Sequence, residues 1–156
     1  MKKIAILGLL FVTLMGCKTN QSTTSTKLDR STQKNMNGSW VITQVTEPSL
    51  LSIKAFGLAE ATCLEGSVWT LNSNNNKGNM ELTKANCPSY ATPITWYIND
   101  AGQFVLKFLD TGEKSKNVRS GYTLRVANQT ESSFQLIDQA AVGGKTVEVV
   151  YQFQKN

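Results

Sequence analysis

Few side chains in this sequence can do chemistry. It contains no histidine, and its three cysteines are Cys17, Cys63 and Cys87. Without histidine the commonest general base is missing, and so is a common zinc ligand. Nine of the eleven carboxylates, Glu47, Glu60, Glu65, Glu81, Asp100, Asp110, Glu113, Asp138 and Glu148, are scattered and make no recognisable pair. There is no CxxC, so a metal pair or a redox pair is not expected. Lys114, Lys116 and Arg119 make a short basic loop, read as a solvated turn, with a phosphate or sulfate contact as the alternative. An enzyme is the least supported class; no catalytic residue, metal or cofactor is expected.

Cys17 stands apart by its context. Lys2 and Lys3 precede an uncharged stretch, Ile4 to Leu14, and Leu14-Met15-Gly16-Cys17 follows directly. The stretch is too short to span a hydrocarbon core of ~30 Å but has the layout of a secretory signal. The four residues ending at Cys17 resemble the lipobox of bacterial lipoprotein precursors. That resemblance implies cleavage after residue 16 and acylation of Cys17, with more than one acyl chain giving a stable membrane anchor. Lys18 is not the Asp that retains such lipoproteins at the inner membrane. An outer-membrane location facing the periplasm is therefore expected.

Residues Lys18 to Asn37 are rich in Ser, Thr, Asn, Gln and Lys, and only Leu28 and Met36 are strongly apolar. Such a run cannot bury enough surface to offset its ordering entropy. Residues 17–37 are expected to form a flexible tether with a reach of roughly 25 Å. The formal charge of +5 is concentrated before the domain. From Gly38 onward there are ten Lys/Arg and ten Asp/Glu, so no basic nucleic-acid face is expected. The basic tether can rest against anionic headgroups.

Residues 38–156 are one domain in length, dominated by period-two alternation of half-buried strands. Met80 and Leu82; Ile94, Trp96 and Ile98; Phe104, Leu106 and Phe108; Tyr122, Leu124 and Val126; Phe134 and Leu136; and Val147, Val149, Tyr151 and Phe153 each fall on one face. Trp40–Val45 and Val68–Leu71 complete a set of about eight strands. The links are short and turn-like: the Asn-rich stretch from Asn72 to Gly78, Asn99 to Gly102, and Gly143-Gly144. Short links imply antiparallel neighbours. Eight such strands bury their apolar faces and lose their free edges by closing into a barrel. A two-sheet sandwich has the same signature. Glu47 to Gly57 does not alternate and reads as a short helix between the first two strands, with Pro48 in its first turn and Gly57 at its end. It either covers a barrel mouth or plugs the core.

Cys63 and Cys87 flank the hairpin of the second and third strands in a chain expected to be exported, so a disulfide is predicted. Trp69 opposite Leu82 or Met80 does not put the two cysteines directly opposite. A bulge or a loose end must bring them together.

Gly38-Ser39-Trp40, Cys63, Cys87, Trp96, the turn from Asn99 to Gly102, and Tyr151 with Phe153 occur in the order found in lipocalin-like lipoprotein domains of Gram-negative bacteria, which this chain resembles from about Gly38 to Phe153. The resemblance implies an eight-stranded barrel that binds a small hydrophobic or lipid-like ligand, with Trp40 packed across its closed end. Trp69, Trp96, Phe104, Phe108 and Tyr122 are expected to line the pocket. Trp40 and Phe153 are expected in the core where first and last strands meet. The alternative is a filled barrel acting through its loops as an inhibitor or envelope assembly factor. Nine inward rings keep it open, because a barrel of this size holds either side chains or one small ligand.

Cys17→Ser is expected to abolish incorporation of a radiolabelled fatty acid and to leave the precursor unprocessed or released. Unchanged labelling of the variant would rule out the anchor.

Overall fold

A computed structural model describes residues 30–48, 52–109, 116–118 and 121–156. The signal, Cys17 and the tether up to residue 29 lie outside the described residues, as do Lys114 and Arg119. Helix α1 (Arg30–Asn35) leads into strand β1 (Gly38–Thr46). A small hairpin follows, β2 (Lys54–Ala55) and β3 (Ala59–Glu60), then a 3-10 turn over Ala61–Leu64. The remaining strands are β4 (Val68–Asn72), β5 (Lys77–Leu82), β6 (Tyr90–Ile98), β7 (Gln103–Phe108), β8 (Tyr122–Ala127), β9 (Ser133–Val142) and β10 (Lys145–Lys155).

Eight strands form a closed antiparallel barrel in the order β1-β10-β9-β8-β7-β6-β5-β4. Closure rests on β1, which pairs along both edges: Trp40 lies opposite Trp69 of β4 and Lys155 of β10. This double pairing distinguishes the barrel from a sandwich, and the fold is the closed eight-stranded antiparallel meander expected. Alternation is clean in β6, where Thr92, Ile94, Trp96 and Ile98 are buried. Two glycine sites are set by sterics. Gly143 and Gly144 both have positive φ, as a two-residue turn joining β9 and β10 requires. A Cβ on Gly78 would fall 2.1 Å from the Thr70 carbonyl oxygen, so β4 and β5 could not approach as they do.

One irregularity matters for the interior. The β1–β10 register shifts between Ile42 and Gln44, a bulge at Thr43. The extra residue resets the parity of the strand. Trp40 and Ile42 face inward before it, and Val45 does so after it. Glu47, two residues on, therefore continues the inner face.

Two expectations need correcting. The tether was expected to run through Asn37, but its last part is folded against the closed end of the barrel. The α1 residue Gln33 donates to the Ser73 carbonyl and to Asn76 Oδ1, and accepts from the Ile98 amide. Gln129 Nε2 donates to the Thr32 carbonyl, and Trp40 Nε1 to the carbonyl of fully buried Met36. This polar helix has no apolar stripe to betray it; it bonds to strand ends and turns, and the buried Met36 follows it. The helix expected over Glu47–Gly57 is also displaced. Residues 49–51 lie outside the described set, and 52–55 alternate exposed, buried, exposed, buried into the β2–β3 hairpin. A helical turn does stand between the first two barrel strands, but at Ala61–Leu64.

Cys63 and Cys87 are joined, with Cα atoms 5.7 Å apart. Trp69 pairs with Met80, one of the two registers considered. Beyond the paired residues the 3-10 turn and the turn at Lys84–Cys87 swing toward each other. Lys84 Nζ donates to the Thr62 carbonyl and to Glu65 Oε2, and that bond holds the Glu65 carboxyl below its usual pKa. Peptide mapping of non-reduced protein is expected to find the two cysteines linked. The double variant Cys63→Ser, Cys87→Ser is expected to lose about 3 kcal/mol of stability in urea, from the loop entropy released to the unfolded chain; an unshifted midpoint would contradict this.

Candidate functional site at the barrel mouth

The barrel interior is a chain of touching rings. At the closed end Trp40 meets Phe134 edge-on at 4.7 Å, and Phe134 stacks on Phe153 at 4.5 Å. Phe153 touches Trp69 at 5.6 Å, and Trp69 reaches Phe108 at 6.4 Å. Such pairs add about 0.5–1.5 kcal/mol each beyond their area burial. Trp40 and Phe153, assigned in advance to the core, are both fully buried.

The five residues expected to line a pocket fall into two groups. Trp96 and Phe104 stack on each other at 5.4 Å and are fully buried, with the indole N–H of Trp96 donating to the Lys77 carbonyl. Trp69 lies between, touching Phe153 on one side and Phe108 on the other, and Phe108 and Tyr122 belong to the other end. There Phe56, from the tip of the β2–β3 hairpin, inserts its ring among Phe108 (5.6 Å), Tyr122 (5.0 Å) and Tyr151 (5.5 Å). The Tyr122 hydroxyl donates to the Phe56 carbonyl at 2.6 Å and latches the tip in place. Phe56 has φ +53°, a left-handed conformation that is strained for a bulky residue. Packing and the latch hold it there.

Polar groups share this mouth. Asp138 lies opposite Val149, so it sits on the inner face in step with Phe134 and Leu136. Tyr151 lies opposite Val45, and Glu47 is one residue past the end of β1. The Tyr151 hydroxyl and Glu47 Oε2 are buried without a hydrogen-bond partner. Burial pushes the Asp138 carboxyl above its usual range. Burial, then the charges of Asp138 and Glu47, push the Tyr151 hydroxyl far up. Tyr122 is raised by burial and then by Asp138. The two phenols therefore stay protonated at neutral pH, able to donate hydrogen bonds but not to act as bases. The mouth combines an aromatic wall with two carboxylates and an unsatisfied hydroxyl.

Among the described residues, two hollows on the outside lie near the closed end. One, of about 500 Å³, is the seam between Gln33 of α1 and the β4–β5 turn beside Tyr97. The other, of about 340 Å³, runs along β6 between Asn75 and Lys107. Of the five expected pocket residues, Trp96 alone touches either. Of the basic loop, Lys116 is exposed.

Sequence reasoning passed over three members of the mouth. Asp138 carried a legible signal, a carboxylate at the inward parity of Phe134 and Leu136. Glu47 did not, because the bulge at Thr43 is needed to turn it inward. Phe56 was assigned to a helix whose covering or plugging role was left open.

The sequence matches no family model and no curated protein. Solved structures similar in fold include a lipocalin-like protein from Bacteroides uniformis, 12% identical over 78% of this chain and 99% of that one, with a TM-score of 0.48. Bovine odorant-binding protein complexed with its natural ligand is 9% identical over 78% and 72% of the two chains, with a TM-score of 0.46. A dog lipocalin allergen is 13% identical over 77% and 73%, at 0.42. At these identities the likeness is one of fold, and the barrel described above stands on its own strand pairing.

An orphaned buried hydroxyl costs roughly 1–3 kcal/mol of desolvation. Tyr151→Phe keeps the ring and is expected to raise the unfolding free energy by about 1 kcal/mol in a urea titration. A loss of stability would mean that the hydroxyl is satisfied in solution.

Proposed function

We propose that this chain is a lipid-anchored lipoprotein of the cell envelope whose barrel takes a small, mainly apolar ligand at its mouth, in the space that the Phe56 ring fills. The observation that carries this reading is Phe56 itself. A phenyl ring at strained backbone geometry, on the tip of a two-stranded hairpin, occupies an aromatic socket contributed by three barrel strands. Displacing it costs one latch hydrogen bond and releases local strain, and an apolar ligand restores the lost burial at ~25 cal/mol per Å². Phe108 and Tyr122 bound the socket, with Trp69 behind Phe108. Trp96 and Phe104 support it from deeper in the barrel. The anchor at Cys17 and a periplasm-facing outer-membrane location rest on the lipobox and on Lys18. The interaction-module alternative keeps Phe56 as a permanent part of a filled core.

The neutral dye N-phenyl-1-naphthylamine is expected to bind with quenching of tryptophan fluorescence, Trp69 being the indole nearest the socket. Phe56→Ala is expected to bind it more tightly than the parent chain. Extraction of protein purified from its own envelope is expected to yield a bound amphiphile by native mass spectrometry. Failure of both the parent and Phe56→Ala to bind the dye would overturn the socket reading in favour of the interaction module.

A further inference from the structure

The polar half of the mouth bears on which ligand fits. We infer that the mouth selects ligands whose head is a protonated amine, held by Glu47 and Asp138 with the Tyr151 hydroxyl beside them, while an aryl or alkyl body replaces the Phe56 ring. This rests on the socket reading above and adds the chemistry of the head group.

The placement comes from strand register. Asp138 on β9 lies opposite Val149 of β10. On the other side of β10, Val45 and Thr46 lie opposite Tyr151 and Val150. Glu47 thus continues toward Val149 from the β1 side. The two carboxylates flank one β10 residue across three adjacent strands, with backbones roughly 10 Å apart at ~4.8 Å per strand spacing. Side chains of this length, both on the inner face, reach toward a common point above Val149. Tyr151 is two residues along β10, on the same face.

Two of the three components lack something that an ammonium supplies. Glu47 Oε2 is a buried acceptor without a donor, and Tyr151, 1% exposed, carries an unpartnered hydroxyl. The two ion pairs recorded among the described residues, Lys84–Glu65 and Arg125–Glu148, involve neither Glu47 nor Asp138. An ammonium has three donors and no acceptor, so it can serve both carboxylates and the phenol oxygen together. A carboxylate or phosphate head would meet two like charges instead. A metal ion fits poorly, because two carboxylates and a protonated phenol leave a hard cation well short of six oxygen ligands.

The test uses three probes with one phenyl body and different heads: 2-phenylethylamine, 2-phenylethanol and phenylacetate. Each competes against N-phenyl-1-naphthylamine on the full chain at neutral pH and moderate salt. The amine is expected to displace the dye at a concentration roughly tenfold below the alcohol, as a charge-assisted hydrogen bond predicts, with phenylacetate weakest. Glu47→Gln and Asp138→Asn are each expected to erase most of the amine's advantage over the alcohol, since the uncharged amides keep an acceptor but lose the charge that favours an ammonium. Equal displacement by amine and alcohol, or none by the amine while the dye binds, overturns this inference and leaves the socket standing. Absence of dye binding overturns both.

Discussion

The rest of the structure depends on the pairing of β1 with two partners at once. An antiparallel meander has free edges at its first and last strands. Here β1 meets β10 on one side and β4 on the other, so every barrel strand has two neighbours. Once closed, the pleat allows only two destinations for a side chain, and alternation becomes a division between interior and solvent. The interior must then be filled, and three tryptophans with a row of Phe and Tyr rings fill it. Closure also joins residues from opposite ends of the sequence, as Trp40 and Lys155 show. Such long-range pairing makes for slow folding, since the loop entropy is lost before the contact forms.

Much of this barrel was legible in the sequence. Period-two alternation located six barrel strands cleanly, because a half-buried strand writes its geometry directly into residue order, and Trp40–Val45 and Val68–Leu71, with less clean faces, completed the eight. Trp40 and Phe153 were placed in the core by the argument that first and last strands must meet. What could not be read depends on one-residue events and on packing between distant segments. The bulge at Thr43 inverts the face of everything after it, and nothing in the residue types around it announces that. The helix α1 is polar throughout and is defined by hydrogen bonds to strand ends far away in sequence. Residues 52–55 alternate too briefly to outweigh Pro48 and Gly57, which suggest a helix. Of the expected pocket residues, the division between Phe108 and Tyr122 on one side and Trp96 with Phe104 on the other, with Trp69 between, follows from depth along the barrel axis. Parity alone does not encode depth.

The mouth differs from the rest of the interior in carrying groups that packing alone does not explain. Rings at the closed end satisfy one another, and their polar atoms find carbonyls: Trp40 at Met36, Trp96 at Lys77. At the mouth a phenol and a carboxylate oxygen are buried without partners, and a phenylalanine is held at positive φ. Strain and unsatisfied polarity are usually minimised in a core built only for stability. Here they meet in space: Phe56 packs on Tyr151 at 5.5 Å, and the charge of Glu47 acts on the Tyr151 hydroxyl.

The path of the chain gives the domain a direction. Helix α1 lies against the closed end, bonded to the β4–β5 turn and to the last residue of β6. The mouth is at the other end of the barrel axis. The chain therefore enters at the foot of the barrel, and the Phe56 end opens at the far end of the axis from the first described residue, Arg30.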